Sequence, residues 1–273
     1  MKINKIHFSL IFILGISIFI NSCSDSLSDT TDGRLRYWIS TLSSDEFEGR
    51  APGTEGGQLT KNFISKTFQN LNLDPVDGSY FLDVPASEIT LKDSSYLTLS
   101  FRGNDRKMIT GKEVVFWTKQ ARDYRKIRDS EVVFVGYGIV APEYNWDDYE
   151  GIDVKGKTVV ILINDPGFAT GKLRLFNGRS MTYYGRWTYK FEEAARQGAA
   201  AAIIVHEEEP AAYPWSVVEN SWQGPQLDLQ RDDLGADRVI LEGWIKDSIL
   251  NDVLNFTGFD YDSLKQIALE KTF

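Results

Sequence analysis

Three acidic side chains close together in one loop are the first candidates for chemistry in this sequence. Asp45, Glu46 and Glu48 lie in a segment rich in Gly and Pro, and a pair of carboxylates can perform general acid–base catalysis, as in glycosidases. That reaction needs a second carboxylate across a cleft, and the pattern assigns none. We therefore interpret the segment as an acidic loop that ends a helix, with Arg50 as its partner.

Histidine and cysteine, the usual metal ligands, are scarce in this chain. It has two histidines, His7 and His206, and one cysteine. His206 follows the apolar run 201–205 and precedes three glutamates, which invites a metal-binding interpretation. Adjacent residues of an extended segment point to opposite faces, so they seldom converge on one ion. We expect a strand-end histidine at the surface, and we assign no catalytic residue and no metal ligand.

Other reaction classes have no motif in this sequence. Residues 136–138 read Gly-Tyr-Gly but lack the spacing of a nucleotide-binding loop, and the Gly-x-Ser-x-Gly motif of serine hydrolases is absent. The formal net charge is −9, so the chain lacks the basic surface that phosphate backbones require. We expect no nucleic-acid partner.

The amino terminus has the pattern of an exported, lipid-anchored protein. Two lysines precede the apolar run 8–20, which is typical of the core of a signal peptide. Residues 20–23 read Ile-Asn-Ser-Cys and resemble a bacterial lipobox, in which the cysteine is acylated. We predict a signal peptide over 1–22, lipidation of Cys23 and a flexible polar tether over 23–34. The membrane is then a partner through the lipid anchor, and the location is the bacterial cell envelope.

Hydrophobic periodicity predicts the helices and strands that would hold the side chains of any functional site. Helical spacing predicts helices over 35–42, 59–71, 191–197, 245–256 and 261–269. Alternating or continuous apolar runs predict strands at 96–101, 113–117, 131–135, 158–163, 199–205 and 239–241. Only one or two helices are predicted among these strands, and this pattern predicts an α+β fold rather than a doubly wound sheet.

An aromatic segment at residues 183–191 has two open interpretations. Tyr184, Arg186 and Trp187 are residue types that form recognition surfaces. Trp187 and Phe191, however, are four residues apart, as on one face of a packed helix. The pattern alone favours neither.

Several motifs resemble secreted bacterial zinc aminopeptidases, in the metallopeptidase family that includes aminopeptidase Y and glutamate carboxypeptidase. Residues 42–56 read L-x-x-D-E-F-E-G-R-x-P-G-T-x-G, which resembles the opening of these enzymes. Residues 135–139, 149–157, 160–167 and 189–208 resemble their inserted protease-associated domain. The resemblance covers most of residues 42–225.

The resemblance implies a fold and a division into domains. We expect the N-terminal helices of an incomplete α/β zinc-exopeptidase domain, followed by a strand-rich protease-associated domain with one or two helices. The implied boundaries are a peptidase part at 35–80, the insert at 81–244 and a truncated helical return segment at 245–273.

The resemblance also implies an activity, peptide hydrolysis by two zinc ions with a glutamate as base. The family's zinc ligands follow the insert, and this sequence lacks their histidine-bearing motif, so no ligand is assigned and no cofactor is expected in this chain. We expect the chain itself to be inactive, with Arg50, Tyr184, Arg186 and Trp187 at the rim of a substrate site for peptides or proteins. The alternative is a non-catalytic lipoprotein whose protease-associated domain binds proteins or peptides.

Overall fold

The computed structural model describes residues 30–92 and 94–270, which form two compact units divided between Asp83 and Val84. The predicted signal peptide, the lipidation site Cys23 and most of the predicted tether lie outside the described residues. The segment after residue 245 belongs to the second unit in this division.

The first unit consists of two helices joined by a tight turn. Helix α1 spans Thr31–Leu42 and helix α2 spans Glu55–Asn70, with a 3-10 helix at Asp45–Arg50 between them. The Oγ1 atom of Thr30 accepts the backbone N–H of Gly33, and Thr54 caps α2 in the same way through Gly57. This cap starts α1 at Thr31, inside the segment that the sequence assigned to a flexible tether.

Close backbone contact holds the turn against α2. Phe47 is buried and meets Phe63 edge to face, with ring centroids 6.1 Å apart. Gly56 lies against the carbonyl of Phe47 and has no room for a side chain. Arg50 donates from Nη1 to the carbonyl of Leu42. The expected pairing of Arg50 with the acidic loop is therefore replaced by a helix-terminating contact.

The second unit is built on a five-stranded sheet. The strands of this unit are β1 (Ala86–Ile89), β2 (Leu97–Phe101), β3 (Asn104–Met108), β4 (Val114–Trp117), β5 (Val132–Phe134), β6 (Val140–Ala141), β7 (Trp146–Asp147), β8 (Thr158–Leu162), β9 (Ala201–His206), β10 (Gln226–Leu229) and β11 (Leu241–Lys246). The sheet has the order β4-β11-β9-β8-β5. Strands β5, β8, β9 and β11 are parallel, and β4 is antiparallel to β11. The pairs β1–β10, β2–β3 and β6–β7 form separate two-stranded ribbons.

Both faces of the main sheet are covered, which explains why its central strands are apolar throughout. On β8, Val159 and Ile161 pack on one face while Val160 and Leu162 pack on the other. The edge strand β4 is buried along its whole length, and Trp117 Nε1 donates to the buried carboxylate of Glu242 at 2.9 Å. The sheet thus divides the core into two apolar layers.

Helices supply the outer layers. They are α3 (Pro166–Thr170), α4 (Trp187–Arg196), α5 (Glu208–Ala211), α6 (Trp215–Ser221), α7 (Asp247–Thr257) and α8 (Tyr261–Ile267). Phe191 of α4 and Val218 of α6 join one apolar layer, and Leu250 of α7 and Tyr261 of α8 join the other. The predicted α+β fold is confirmed. In the described part of the chain, no helix is long and apolar enough to cross a membrane.

Candidate functional site

The carboxyl ends of the parallel strands meet at one edge of the main sheet. The loops after β5, β8 and β9 begin there, and they carry Tyr137, Asn164 and Glu207. In open sheets with parallel strands, side chains at this edge are the usual ligand-binding groups. The candidate site therefore consists of these loops and of helix α4, which carries Lys190.

Asp165 accepts hydrogen bonds from both ends of the loop of residues 166–182. Its Oδ1 accepts the N–H groups of Gly167 and Phe168 at 3.1 and 3.3 Å, which caps α3. Its Oδ2 accepts the N–H and the hydroxyl of Thr182 at 3.2 and 2.8 Å. Burial raises the pKa of Asp165, while the bonds from Thr182 and the charge of Lys190 oppose this shift.

Lys190 is a fully buried cation that links two of the strand-end loops. Its Nζ donates to the carbonyl oxygens of Tyr137 and Asn164 at 2.6 and 2.8 Å. Burial lowers the pKa of Lys190, and the negative charges of Asp148 and Asp165 oppose this change. Because a buried ammonium needs both compensating charge and acceptors, these contacts fix the loops after β5 and β8 to helix α4.

Asp148 supplies a negative charge that compensates the buried ammonium of Lys190. It is buried and accepts the N–H of Ile139 at 2.9 Å and the indole N–H of Trp146 at 2.8 Å. Burial raises the pKa of Asp148, and these hydrogen bonds together with Lys190 hold it down. Lys190 thus donates two hydrogen bonds and both carboxylates accept hydrogen bonds, so these three side chains position loops rather than presenting a reactive group.

Sequence reasoning missed this network, although one signal pointed to it. Trp187, Lys190, Phe191 and Ala194 follow the i, i+3, i+4, i+7 spacing of one helix face. Three of the four are apolar, so the lysine at the remaining position had to be buried with them. A charged residue on a buried face requires partners, and the acidic residues near the strand ends were the available ones.

Three of the four predicted rim residues lie together on one segment, as their sequence positions require. Tyr184 donates from its hydroxyl to Glu143 Oε1 at 2.6 Å, and this bond raises the pKa of Tyr184 and lowers that of Glu143. Arg186 precedes α4 and is exposed, with no ion-pair partner within residues 30–92 and 94–270. Trp187 is half-buried and packs against Phe191, with ring centroids 6.1 Å apart. Trp187 therefore has a packing role.

The fourth predicted rim residue, Arg50, belongs to the first unit. Its guanidinium bonds to the carbonyl of Leu42 inside that unit, as described above.

His206 is not at the surface, contrary to the expectation from the sequence. Only 2% of the residue is exposed, because Tyr213, Trp215 and Trp244 surround the imidazole with ring centroids 5.4, 5.6 and 6.0 Å away. Burial lowers its pKa. Its Nε2 has no hydrogen-bond partner among the described residues.

The donor set does not fit the two zinc ions that the family resemblance implies. His206 is the single histidine in the described ranges, and aromatic rings rather than carboxylates enclose it. Across those ranges, no group of three or more His, Cys, Asp or Glu side chains is arranged to hold a metal ion. We derive no catalytic step through zinc from these residues.

The chain is similar to a solved structure, but not to any family model or curated protein. No family model matches the chain, and no curated protein matches it either. The aminopeptidase from Aneurinibacillus sp. strain AM-1 is 18% identical, with a TM-score of 0.33, over 78% of this chain and 39% of that chain. This chain thus spans about two-fifths of the length of that enzyme. At this level of similarity no residue role is transferred.

Proposed function

We propose that this chain is the N-terminal and protease-associated portion of an envelope-anchored, zinc-dependent aminopeptidase that hydrolyses peptides in its complete form. The motifs at residues 42–56 and 135–208 support the proposal. In this proposal, residues 30–83 are part of the peptidase domain and residues 84–270 form a peptide-binding module.

The observation that carries the proposal is the apolar surface of the first unit. Neither α1 nor α2 buries a large apolar side chain. Ile39 is 65% exposed, and Ile64 and Phe68 on α2 are 37% and 40% exposed. Helices with such faces need a partner layer, because exposed apolar surface of this kind favours association. The remainder of a peptidase domain is the partner that we propose for it.

In the second unit, Arg186 is the rim residue best placed to contact a peptide. Tyr184 is already bonded to Glu143, and Trp187 is packed against the core. Arg186 is exposed and unpaired in the described part of the chain, and a guanidinium binds carboxylate and carbonyl groups of peptides.

The proposal is tested first on the chain as given. Purified residues 23–273 are expected to bind short peptides without hydrolysing an aminoacyl chromogenic substrate, with or without added zinc. Chelator-sensitive hydrolysis by these residues would show that they hold a metal site, and failure to bind any peptide would remove the proposed module.

The complete enzyme is tested by reading the DNA downstream of the codon for Phe273. We expect metal-ligand motifs to follow, in frame or beyond a frameshift. In the protein expressed from that longer frame, Arg186→Ala is expected to lower kcat/KM for peptides by about tenfold. Arg128→Ala, another exposed arginine, is the matched control.

The envelope location and the membrane partner follow from the proposed lipid anchor at Cys23. Palmitate is expected to label the native protein and not the Cys23→Ser variant. Equal labelling of both proteins would contradict the anchor.

A second candidate is a non-catalytic lipoprotein in which residues 84–270 bind proteins or peptides. The two apolar layers of the second unit favour it, because this unit has a core of its own and could act as an independent module. Peptide binding together with a downstream sequence that lacks metal-ligand motifs would support this candidate over the enzyme.

A further inference from the structure

We infer that the loop of residues 166–182 is a docking site for acidic peptides, an inference that rests on the proposed peptide-binding function. Residues 166–191 contain five basic residues and no acidic one, in a chain of net charge −9. Lys190 is buried among its partners, whereas the other four basic side chains, Lys172, Arg174, Arg179 and Arg186, are exposed.

The tip of this loop is both basic and apolar. Leu173 is 79% exposed and lies between Lys172 and Arg174, which are also exposed. Neither of these two cations has an ion-pair partner in the described residues, whereas Arg179 pairs with Glu209 at 3.2 Å. Two free cations that flank an apolar side chain match a peptide in which acidic and apolar residues alternate.

The loop is ordered before any ligand arrives. Asp165 closes its two ends, and Phe176 is fully buried with its ring 4.3 Å from that of Tyr144. The loop also folds back on itself, because Gly178 packs so closely on Leu173 that a Cβ there would lie 3.3 Å from Leu173 Cδ2. An ordered loop loses little conformational entropy on binding, which favours recognition by few contacts.

A single peptide fits this surface better than an anionic membrane does. Carboxylates lie close to the basic loop, since Glu209 contacts Arg179 and Glu143 contacts Tyr184. A bilayer would meet these carboxylates together with the cations. Within the loop of residues 166–182, Leu173 is the one large apolar side chain that is mostly exposed for insertion. A narrow acidic peptide can contact the cations at the tip and avoid the carboxylates.

The test measures peptide binding to purified residues 23–273 by fluorescence anisotropy. The probe is a blocked, fluorescein-labelled peptide of alternating Glu and Leu, and its neutral counterpart has Gln in place of Glu. The acidic peptide is expected to bind at least about tenfold more tightly, and added salt should remove this difference. Lys172→Glu/Arg174→Glu should weaken its binding by about tenfold or more.

Lys112→Glu/Arg128→Glu is the matched control, because it makes the same change in charge at two other exposed positions. Its acidic-peptide affinity should stay within about twofold of the native value. An equal loss in both double variants would indicate a general charge effect and overturn the inference.

Three further outcomes distinguish the acidic-peptide site from the general peptide-binding function and from a membrane-binding role. Equal binding of the acidic and neutral peptides, unaffected by the loop variant, would overturn the acidic site and leave the peptide-binding function standing. Absence of binding by both peptides would overturn the function and the acidic site together. Loss of binding to phosphatidylglycerol vesicles in the loop variant, with peptide binding unchanged, would assign the loop to a membrane and overturn the inference.

Discussion

One carboxylate oxygen of Asp165 accepts two hydrogen bonds from Thr182, from its backbone N–H at 3.2 Å and from its hydroxyl at 2.8 Å. The other oxygen accepts the N–H groups of Gly167 and Phe168. The residues joined in this way lie at the two ends of the same loop. One buried carboxylate therefore ties together the two ends of a loop whose tip, at Lys172, Leu173 and Arg174, is exposed.

Replacing Asp165 should loosen the loop without unfolding the sheet. In Asp165→Asn, the amide NH2 would face N–H donors at one end of the loop, which leaves buried donors unpaired. We expect amide hydrogen exchange over residues 166–182 to become about tenfold to about a hundredfold faster. Asp153→Asn is the control, since Asp153 is exposed and also accepts a backbone N–H. Unchanged exchange in Asp165→Asn would contradict the assigned role.

The buried ammonium of Lys190 should be costly to remove. Lys190→Met would leave the carbonyls of Tyr137 and Asn164 unpaired and would remove the positive charge near Asp148. We expect the free energy of unfolding to fall by about 3–5 kcal/mol. Urea titration followed by tryptophan fluorescence measures this, because six of the seven tryptophans lie in residues 84–270. Lys126→Met, at an exposed position, should change the stability by less than about 0.5 kcal/mol.

His206 should make the protein less stable in mild acid. Burial lowers its pKa below the ordinary 6.5, and this outweighs the opposing hydrogen bond with the backbone of Tyr213 and the charges of Glu208 and Asp247. The unfolded chain then binds a proton more readily than the folded one, so stability is lost as the pH falls below about 6.5. The stability difference between the native protein and His206→Gln should shrink from about pH 7.5 to about pH 5.5. A difference that is independent of pH would contradict this.

Gly56 should be essential for the turn in the first unit. A methyl group at this position would meet the carbonyl of Phe47, which is backbone and cannot rotate away. Gly56→Ala is expected to destabilise the turn by about 1–3 kcal/mol, seen as faster amide exchange over residues 45–60. Gln58→Ala, an exposed position in the same helix, should leave exchange there unchanged.

Hydrogen exchange should also distinguish the two units. We expect faster exchange over residues 55–72 than over residues 131–205, because α2 buries no large apolar side chain while β8 and β9 are buried throughout. Uniform protection would indicate that the first unit is a complete domain.

Most strands of the main sheet could be predicted because their apolar runs are bounded by turns. The observed bounds of β4, β5, β8 and β9 lie within two residues of those expected. Strand β11 was misplaced, since the sequence predicted a strand at 239–241 and a helix from Ile245. Its residues Trp244 and Ile245 suit either element, and parallel pairing with β9, which is remote in sequence, selects the strand.

The site was harder to predict because its contacts are distant in sequence. His206 is buried by Tyr213 and Trp215 from the following segment and by Trp244 from β11. Lys190 could have been found from its helix face, but its acceptors lie in loops 26 and 53 residues away. Hydrophobic periodicity indicates which face of a helix or strand is buried. The contact partners of His206 and Lys190 depend instead on the topology of the sheet.

The antiparallel pairing of β4 with β11 has a consequence for how the protein forms in the cell. Trp117 and Glu242, which bond across this pair, are 125 residues apart. On a ribosome, β4 emerges with its four apolar residues long before its neighbour has been synthesised. The second unit can therefore complete its sheet only once the chain up to residue 246 is present, and until then the apolar residues of β4 lack their partner strand and favour aggregation.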